Sequence, residues 1–442
     1  MKYDVIVVGA GPAGLFACYS LLQKRKKLKI ALVDMGKRLG KRKPNEVMCG
    51  VGGAGTFSDG KLTLTANLSH EKAFHVLARS KYQKILDYVD SVLTDFGVDS
   101  EYYPKDNNNL KNLIFESEKN DVELVVRKAR HVGTDKLKKV IFNFQEYLLK
   151  NGVKLYDETE VKDLLVKDDK IQGVKTTKEQ IKADKVILAP GRVNARWLQT
   201  ICDKYGIKYV YDKVEVGVRV EFPASIMQIQ AETLYELVYK VRTKTYHDIV
   251  RTFCSCPNGL VSIEKYDGYV CVNGHSNSNH LSPNSNFAFV CEVSLTKPVE
   301  NSIAYAKSIA EVASTIGGGK PILQSLEDLR SGRRSTPSRL QKSFVEPSLK
   351  EYTAGDISMA LPYRIVMNIM EGLEILDKVM PGINSGSTLL YAPEVKFRSS
   401  KVKTNKNLQT SVKGLYVAGD AAGLSGSITG AAVTGVIAAK GI

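Results

Sequence analysis

The feature that most restricts what this chain can become lies in its first fourteen residues. Val5-Ile6-Val7-Val8 is an apolar, β-branched run of a buried strand, and Gly9-Ala10-Gly11-Pro12-Ala13-Gly14 follows it at once, leading into a helix. In a G-x-G-x-x-G turn of this kind Gly9 permits the tight bend, Gly11 lets backbone approach a pyrophosphate, and Gly14 lets helix pack close on strand. The free N–H groups at the helix start face phosphate at the positive end of the helix dipole, with Pro12 and Ala13 in the same turn. A second strand ends in Asp34, at the distance where a carboxylate accepts hydrogen bonds from an adenosine ribose. A plain glycine turn would not need this strand, helix, second strand and acidic terminus together. Asp34 would repel a 2′-phosphate, so an unphosphorylated ribose is expected. The basic residues just beyond it, Lys37-Arg38 and Lys41-Arg42-Lys43, are read as solvent-facing.

The chain has 442 residues, too many for one simple core, so two domains are expected. Residues 70–98 carry apolar positions at helical spacing, and a second helix is predicted after Thr134-Asp135. Strands joined by polar turns fill 154–188. From 201 to 384 the pattern becomes β-branched strands (214–222, 269–273, 287–293) mixed with helices and polar loops. The chain then returns to a strand at 414–418 and a glycine- and alanine-rich helix. The expected fold is α/β: a discontinuous Rossmann-like domain, 1–200 and 385–442, with an inserted mixed, β-rich substrate domain, 201–384.

The balance of 63 Lys and Arg against 47 Asp and Glu gives +16, which suits an acidic redox protein, a phosphorylated substrate or a lipid surface, or is simply solvated surface. The basic blocks lack the interleaved aromatics of a single-strand nucleic-acid groove, so nucleic acid is not expected. No uninterrupted apolar run reaches the length of a membrane span and no signal peptide is apparent, which makes the cytoplasm the expected location. Seven scattered cysteines read as reduced thiols, not a disulfide framework. Cys254 and Cys256 alone sit close together, and Cys-x-Cys without a second such pair is poor evidence for zinc; no metal is expected. Cys49 has no partner at the C-x-x-x-x-C spacing of disulfide reductases.

Three further segments bear on the nucleotide. Thr410 to Asp420 is a turn, a short buried strand and an acidic end. It resembles the second FAD fingerprint of glutathione-reductase-like flavoproteins, and the resemblance makes Gly419 and Asp420 cofactor residues, with Asp420 on the ribityl chain. The segment Gly423 to Gly430 would then start a helix, through Gly430 and Ala431, whose amino end points at the flavin. The glycine-dense stretch Gly50 to Leu62 lets backbone approach a large flat ligand: Gly53, Ala54, Gly55 and Gly60 give access, Thr56, Ser58, Asp59 and Lys61 offer polar tips, and Leu62 with Leu64 and Phe57 calls for burial. Val186 to Arg192 resembles the strand and turn closing the FAD domain in the same superfamily, which adds Ala189 and Gly191.

Together these segments resemble, over nearly the whole chain, a prokaryotic family of FAD-dependent dehydrogenases akin to two-domain bile-acid-reductase-like flavoproteins. The resemblance rests also on Gly53 to Leu62, His131 to Leu137, Gly217 to Glu221, Thr252 to Pro257, Val272 to Gly274 and Leu361-Pro362. This chain departs from the pattern at Asn258, where glycine is usual, and at Asp420, where Glu is common. The resemblance implies FAD and hydride transfer between a small organic substrate and flavin N5. The Arg251 to Gly259 loop is the expected active-site wall, with Cys254 and Cys256 as catalytic candidates that could donate a proton, form an adduct or merely pack. His275 and His280 could act as acids but read as solvated; Arg219, Arg251 and Arg398 could bind an anionic group but read as surface or salt-bridge residues. Gly317-Gly318-Gly319 lacks a preceding strand, so no second Rossmann unit is expected. NAD(P)H would bind transiently, or electrons would come from substrate or an acidic redox protein. Two rivals remain: a flavin reductase or electron-transfer flavoprotein with an acidic protein partner, and a non-catalytic FAD-stabilised binding protein.

Overall fold

A computed structural model describes residues 2–24, 27–43, 46–58, 60–105, 107–266, 268–275, 281–293, 295, 301–396 and 400–442. The chain divides into two compact units, Met1–Tyr102 with Lys128–Asp212 and Ser399–Ile442, and Tyr103–Arg127 with Lys213–Arg398.

The first unit is Rossmann-like. Its sheet runs Lys154–Tyr156, Ile30–Val33, Lys2–Val8, Gln180–Leu188, Lys170–Thr176, Val161–Lys167. The first three strands are parallel, and Gln180–Leu188 pairs in parallel with Lys2–Val8 from Lys182 to Leu188. Gln180–Leu188 serves two partners. Its first residues pair antiparallel with Lys170–Thr176, and its last three, Val186 to Leu188, pair in parallel with Leu415–Val417. The distant C-terminal strand thus lies one strand away from the opening strand. Val5, Ile6 and Val7 are fully buried, which is why that strand reads as an unbroken apolar run. The opening helix Pro12–Leu22 packs on the closing helix Ile428–Lys440, both apolar almost all round.

Residues 70–98 do not form one helix. A short 3₁₀ segment, Leu68–Ala73, precedes the helix Arg79–Asp95, and extended Ala78 (ψ 143°) separates them. The expected helix after residue 134 is present as Thr134–Lys150, with Gly133 at its N-cap position.

The second unit holds an eight-stranded mixed sheet in the order Thr353–Ala354, Ile322–Ser325, Leu389–Lys396, Val214–Pro223, Asn284–Val293, Ile249–Cys256, Tyr239–Arg242, Glu123–Leu124. The long central strands Val214–Pro223 and Asn284–Val293 pair over ten residues. Two boundaries differ from the sequence reading. Leu389–Lys396, expected in the nucleotide-binding half, pairs with Val214–Pro223 at the heart of this sheet. Residues 103–127, expected in the same half, supply the edge strand Glu123–Leu124. No helix among the described residues is long and apolar enough to cross a membrane.

Candidate functional site

The opening turn has no room for a side chain at Gly9 or Gly14. A Cβ at Gly9 (φ +95°) would lie 2.1 Å from the Ala189 carbonyl oxygen, and one at Gly14 would lie 1.8 Å from the Gly9 carbonyl oxygen. Pro12 occupies the first turn of the helix, where its missing N–H costs no hydrogen bond. The Ala189 N–H donates to Val8 O at 2.7 Å, so the closing turn of the fourth strand is bound to the opening one. Gly191 (φ +72°) has open space where a Cβ would stand.

Asp34, directly after the strand Ile30–Val33, is 8% exposed. Its carboxylate accepts from the N–H of Ala10 at 2.7 Å and of Gly36 at 2.8 Å. Burial pushes its carboxyl above the usual range, against the pull of the Ala10, Gly36 and Gly50 N–H groups and of nearby Arg42. Arg42 corrects the expectation of a solvent-facing charge. It is half-buried, and its guanidinium donates to the carbonyls of Gly50, Val51, Gly53, Glu46 and Val47 while stacking 4.6 Å from the Phe57 ring centroid. These carbonyls would otherwise repel one another around the glycine loop. Arg38 forms a two-pronged pair with Asp157, and Lys37 pairs with Glu46.

The glycine loop comes against the opening turn: a Cβ at Gly53 (φ +66°) would be 3.1 Å from the Gly11 Cα. Gly55 abuts Ile428, the first residue of the closing helix. Ala54 is exposed; Thr56 is buried. Ser58 donates to Gly55 O, and Gly60 (φ +73°) packs on Gly133. Lys61 and Leu62 lie in a strand paired with Ala129–His131, and Leu62 is fully buried, as is nearly true of Leu64; Phe57 is only half-buried. Asp59 lies outside the described residues.

The closing turn reaches the same place. A Cβ at Gly419 (φ +77°) would lie 3.2 Å from Ala13 Cβ, and one at Gly435 would lie 2.0 Å from Ala13 O. Asp420 pairs with Arg192 Nε at 2.9 Å and accepts from Ser425 Oγ. Gly430 and Ala431 form the first turn of the closing helix, capped by Ser427, whose Oγ accepts from Gly430 N–H at 3.0 Å. The opening turn, glycine loop and closing turn therefore surround one region from three separate stretches of chain. Stripped of side chains along its inner edge, walled by Asp34 and Asp420 and met by two helix N-termini, that region fits the dinucleotide that the fingerprints imply. Sequence reasoning missed Arg42 and Arg192 as site residues, and also His70, which lies fully buried beside the closing helix.

In the second unit, residues 249–256 are a strand, not the loop expected around the cysteines. A register irregularity between Phe253 and Cys256 leaves Cys254 at φ +48°. Arg219 is fully buried, which excludes the surface alternative of its reading and leaves the salt-bridge one. It donates to Asn286 Oδ1 at 2.8 Å, Cys254 O at 2.7 Å and Cys256 Sγ at 3.2 Å, and its Nη1 lies 3.7 Å from Glu394. Gly274 is required there, since a Cβ would meet Arg219 Nη2 at 1.7 Å. Cys256 is buried and Cys254 half-buried. Asn258 adopts φ +47°, a conformation asparagine tolerates better than other side chains, so it can replace glycine. Arg251 is spent on a two-pronged pair with Glu215. His275 is exposed; His280 and Arg398 lie outside the described residues.

Comparison with known proteins adds family assignments to this geometry. Residues 7–92 match the family described as NAD(P)-binding Rossmann-like domain, and residues 213–397 match FAD-dependent protein, C-terminal domain-like. An uncharacterized protein of Clostridium beijerinckii is 27% identical over all of this chain and 81% of its own length. Among solved structures, L-proline dehydrogenase from P. horikoshii is 13% identical (TM-score 0.41, 99% of this chain, 92% of that one). Glycine oxidase from Geobacillus kaustophilus is 12% identical (TM-score 0.40, 99% and 93%), and the FrdA subunit of E. coli quinol fumarate reductase 14% identical (TM-score 0.43, 100% and 70%). One matched segment carries the opening fingerprint, and the other, similar to FAD-dependent proteins, makes up nearly all of the second unit, which supports FAD as the nucleotide.

Proposed function

We propose that the protein transfers a hydride between a small organic substrate and N5 of its FAD. The observation that carries the reading is the approach of Gly419 to Ala13, which puts the closing Gly-Asp turn beside the opening glycine turn. When bound, FAD supplies the ring that accepts or gives up the hydride. The chain's own part is binding and orientation. N–H groups of the opening turn would hold the pyrophosphate, Asp34 the adenosine ribose, and Asp420, its charge balanced by Arg192, the ribityl hydroxyls. Gly53 to Leu62, Ala189 and Gly191 would close the rim, and the positive end of the closing helix would favour negative charge on the ring.

On the substrate side we propose Cys254 and Cys256 as the thiols available for proton donation. Cys254 is the more accessible, while Cys256 accepts from Arg219. NAD(P)H docking transiently, or an acidic redox protein drawn by the +16 charge, would supply or remove electrons.

The test is to purify the protein, quantify FAD, and follow anaerobic bleaching of its absorbance with NADH, NADPH, alcohols and 2-enoates. Stoichiometric FAD, reduced by one of these and reoxidised by an organic acceptor, is expected. A colourless protein that takes up no added FAD would end the reading. FAD that no donor in the panel reduces would shift it toward a binding role. Turnover with an acidic acceptor that falls steeply with salt would favour the protein-partner alternative.

A further inference from the structure

The closing helix does not begin on solvent. Beneath its first turn lies His70, with no exposed surface, carried by the 3₁₀ segment Leu68–Ala73. The imidazole is held on three sides. Its Nδ1 is 2.9 Å from the Tyr82 hydroxyl on Arg79–Asp95, its Nε2 is 3.0 Å from Thr63 Oγ1 on the strand Lys61–Thr63, and the same Nε2 is 3.4 Å from Ser427 Oγ, the helix N-cap. Thr429, in the first helical turn, donates to Thr63 O at 2.6 Å, which ties that turn to the same strand. The turn is tightly packed at Gly430: a Cβ there would stand 2.9 Å from Ser427 Oγ and 3.2 Å from His70 Nδ1. Tyr82 packs edge-on against the ring, its centroid 5.6 Å away.

The groups that face the ring through these contacts are hydroxyls, the phenol of Tyr82 and the alcohols of Thr63 and Ser427, and each can donate or accept. Either ring nitrogen can therefore bridge to a neighbouring element. Burial pushes the Tyr82 phenol well above its ordinary value, so that neighbour stays neutral.

We propose that His70 is a positioning residue. As a hydrogen-bond bridge it fixes the Ser427 cap and first turn of the closing helix, and so sets how strongly that helix terminus favours negative charge on reduced FAD. This rests on the FAD reading above, in which the helix start faces the ring. Substituting His70 would leave the cofactor bound through the two glycine turns and Asp34, but would loosen the cap that aims the dipole.

The experiment compares wild type, His70→Gln and Tyr82→Phe, each purified with its FAD, by flavin stoichiometry, midpoint potential against reference dyes, and amide hydrogen exchange at Gly430 and Ala431. Flavin content near wild type is expected in all three. The potential of His70→Gln should drop by an amount equal to about tenfold weaker favouring of reduced over oxidised flavin, about 30 mV for a two-electron couple. Tyr82→Phe should shift it the same way by less. Exchange at Gly430 and Ala431 should quicken in both. An unchanged potential in either variant with faster exchange would overturn the tuning role; unchanged exchange in either would overturn the positioning role altogether. If His70→Gln does not fold, the Tyr82→Phe measurements decide. If wild type holds no FAD, the cofactor reading fails, while the exchange comparison still tests the bridge.

Discussion

Arg42 shows how little a run of charges says about where its side chains go. In sequence it is the middle of Lys41-Arg42-Lys43; in the fold Lys41 and Lys43 are exposed while Arg42 turns inward and gathers five carbonyls of residues 46–53. Only the looping back of Gly50 to Gly53 creates that cluster of acceptors, so no local pattern announces it. An Arg42→Ala variant should be less stable by about 1–3 kcal/mol, because several half-buried carbonyls lose a charged donor. It should also release FAD more readily. Urea midpoints and the flavin-to-protein absorbance ratio measure both; a variant equal to wild type in each would show the guanidinium to be ornamental. His70 was illegible for the same reason, since it sits in a polar stretch whose burial is decided by Thr63, Tyr82 and Ser427, remote or unremarkable in sequence. The place of Asp34 beside the glycine turn was legible because the strand before it has a fixed relation to that turn.

Strands with unbroken apolar runs and helices with strong periodicity read correctly, and segments whose regularity depends on a neighbour did not. The apolar spacing of 70–98 continues across Ala78, yet the backbone there is extended and the helix starts only at Arg79. The closing helix is the opposite case: its small residues are sequence signs of close packing, and the packing exists. A Cβ at Gly435 would overlap Ala13 O, so Gly435→Ala should force the opening and closing helices apart at a cost of about 1–3 kcal/mol. Thermal unfolding with and without added FAD would register the loss, and undiminished stability would contradict the packing. A second element-level link joins the start of Ile249–Cys256 to the helix Tyr363–Leu376: Asp248 accepts two bonds from Arg364, at 2.6 and 2.7 Å, and one from Asn368. The Arg364 guanidinium holds the Asp248 carboxyl below the usual carboxylate range. Its folded pKa is thus lower than its unfolded one, so its stabilisation is present above the ordinary Asp value near 4 and lost as pH falls through the folded value. Thermal midpoints of wild type should fall over that acid window more steeply than those of Asp248→Asn. Parallel curves would remove Asp248 from the account.

At the scale of the molecule, each unit is assembled from pieces far apart in the chain. The eight-stranded sheet takes its edge strand, Glu123–Leu124, from a segment about ninety residues ahead of the rest. Arg127 on that segment forms a buried ion pair with Glu236, and Val122 is buried in the second core. A fragment spanning only 213–397 should therefore be less stable than one with residues 103–127 fused ahead of it, because Glu236 would lose its ion pair with Arg127 and the strand Tyr239–Arg242 would become an edge. Denaturation of the two fragments tests this, and equal midpoints would show the segment to be dispensable.

By itself the sequence determined the opening βαβ unit, its dinucleotide-binding character and the Gly-Asp end of the last strand. Each is a local pattern, in which backbone geometry and adjacent residues suffice. Only the tertiary structure decided that Leu389–Lys396 and residues 103–127 belong with the second sheet, that Arg42 and Arg219 are structural cations, and that His70 lies under the closing helix. Strand pairing and burial of a polar side chain are set by whichever partner the folded chain brings alongside, and that partner is distant in sequence.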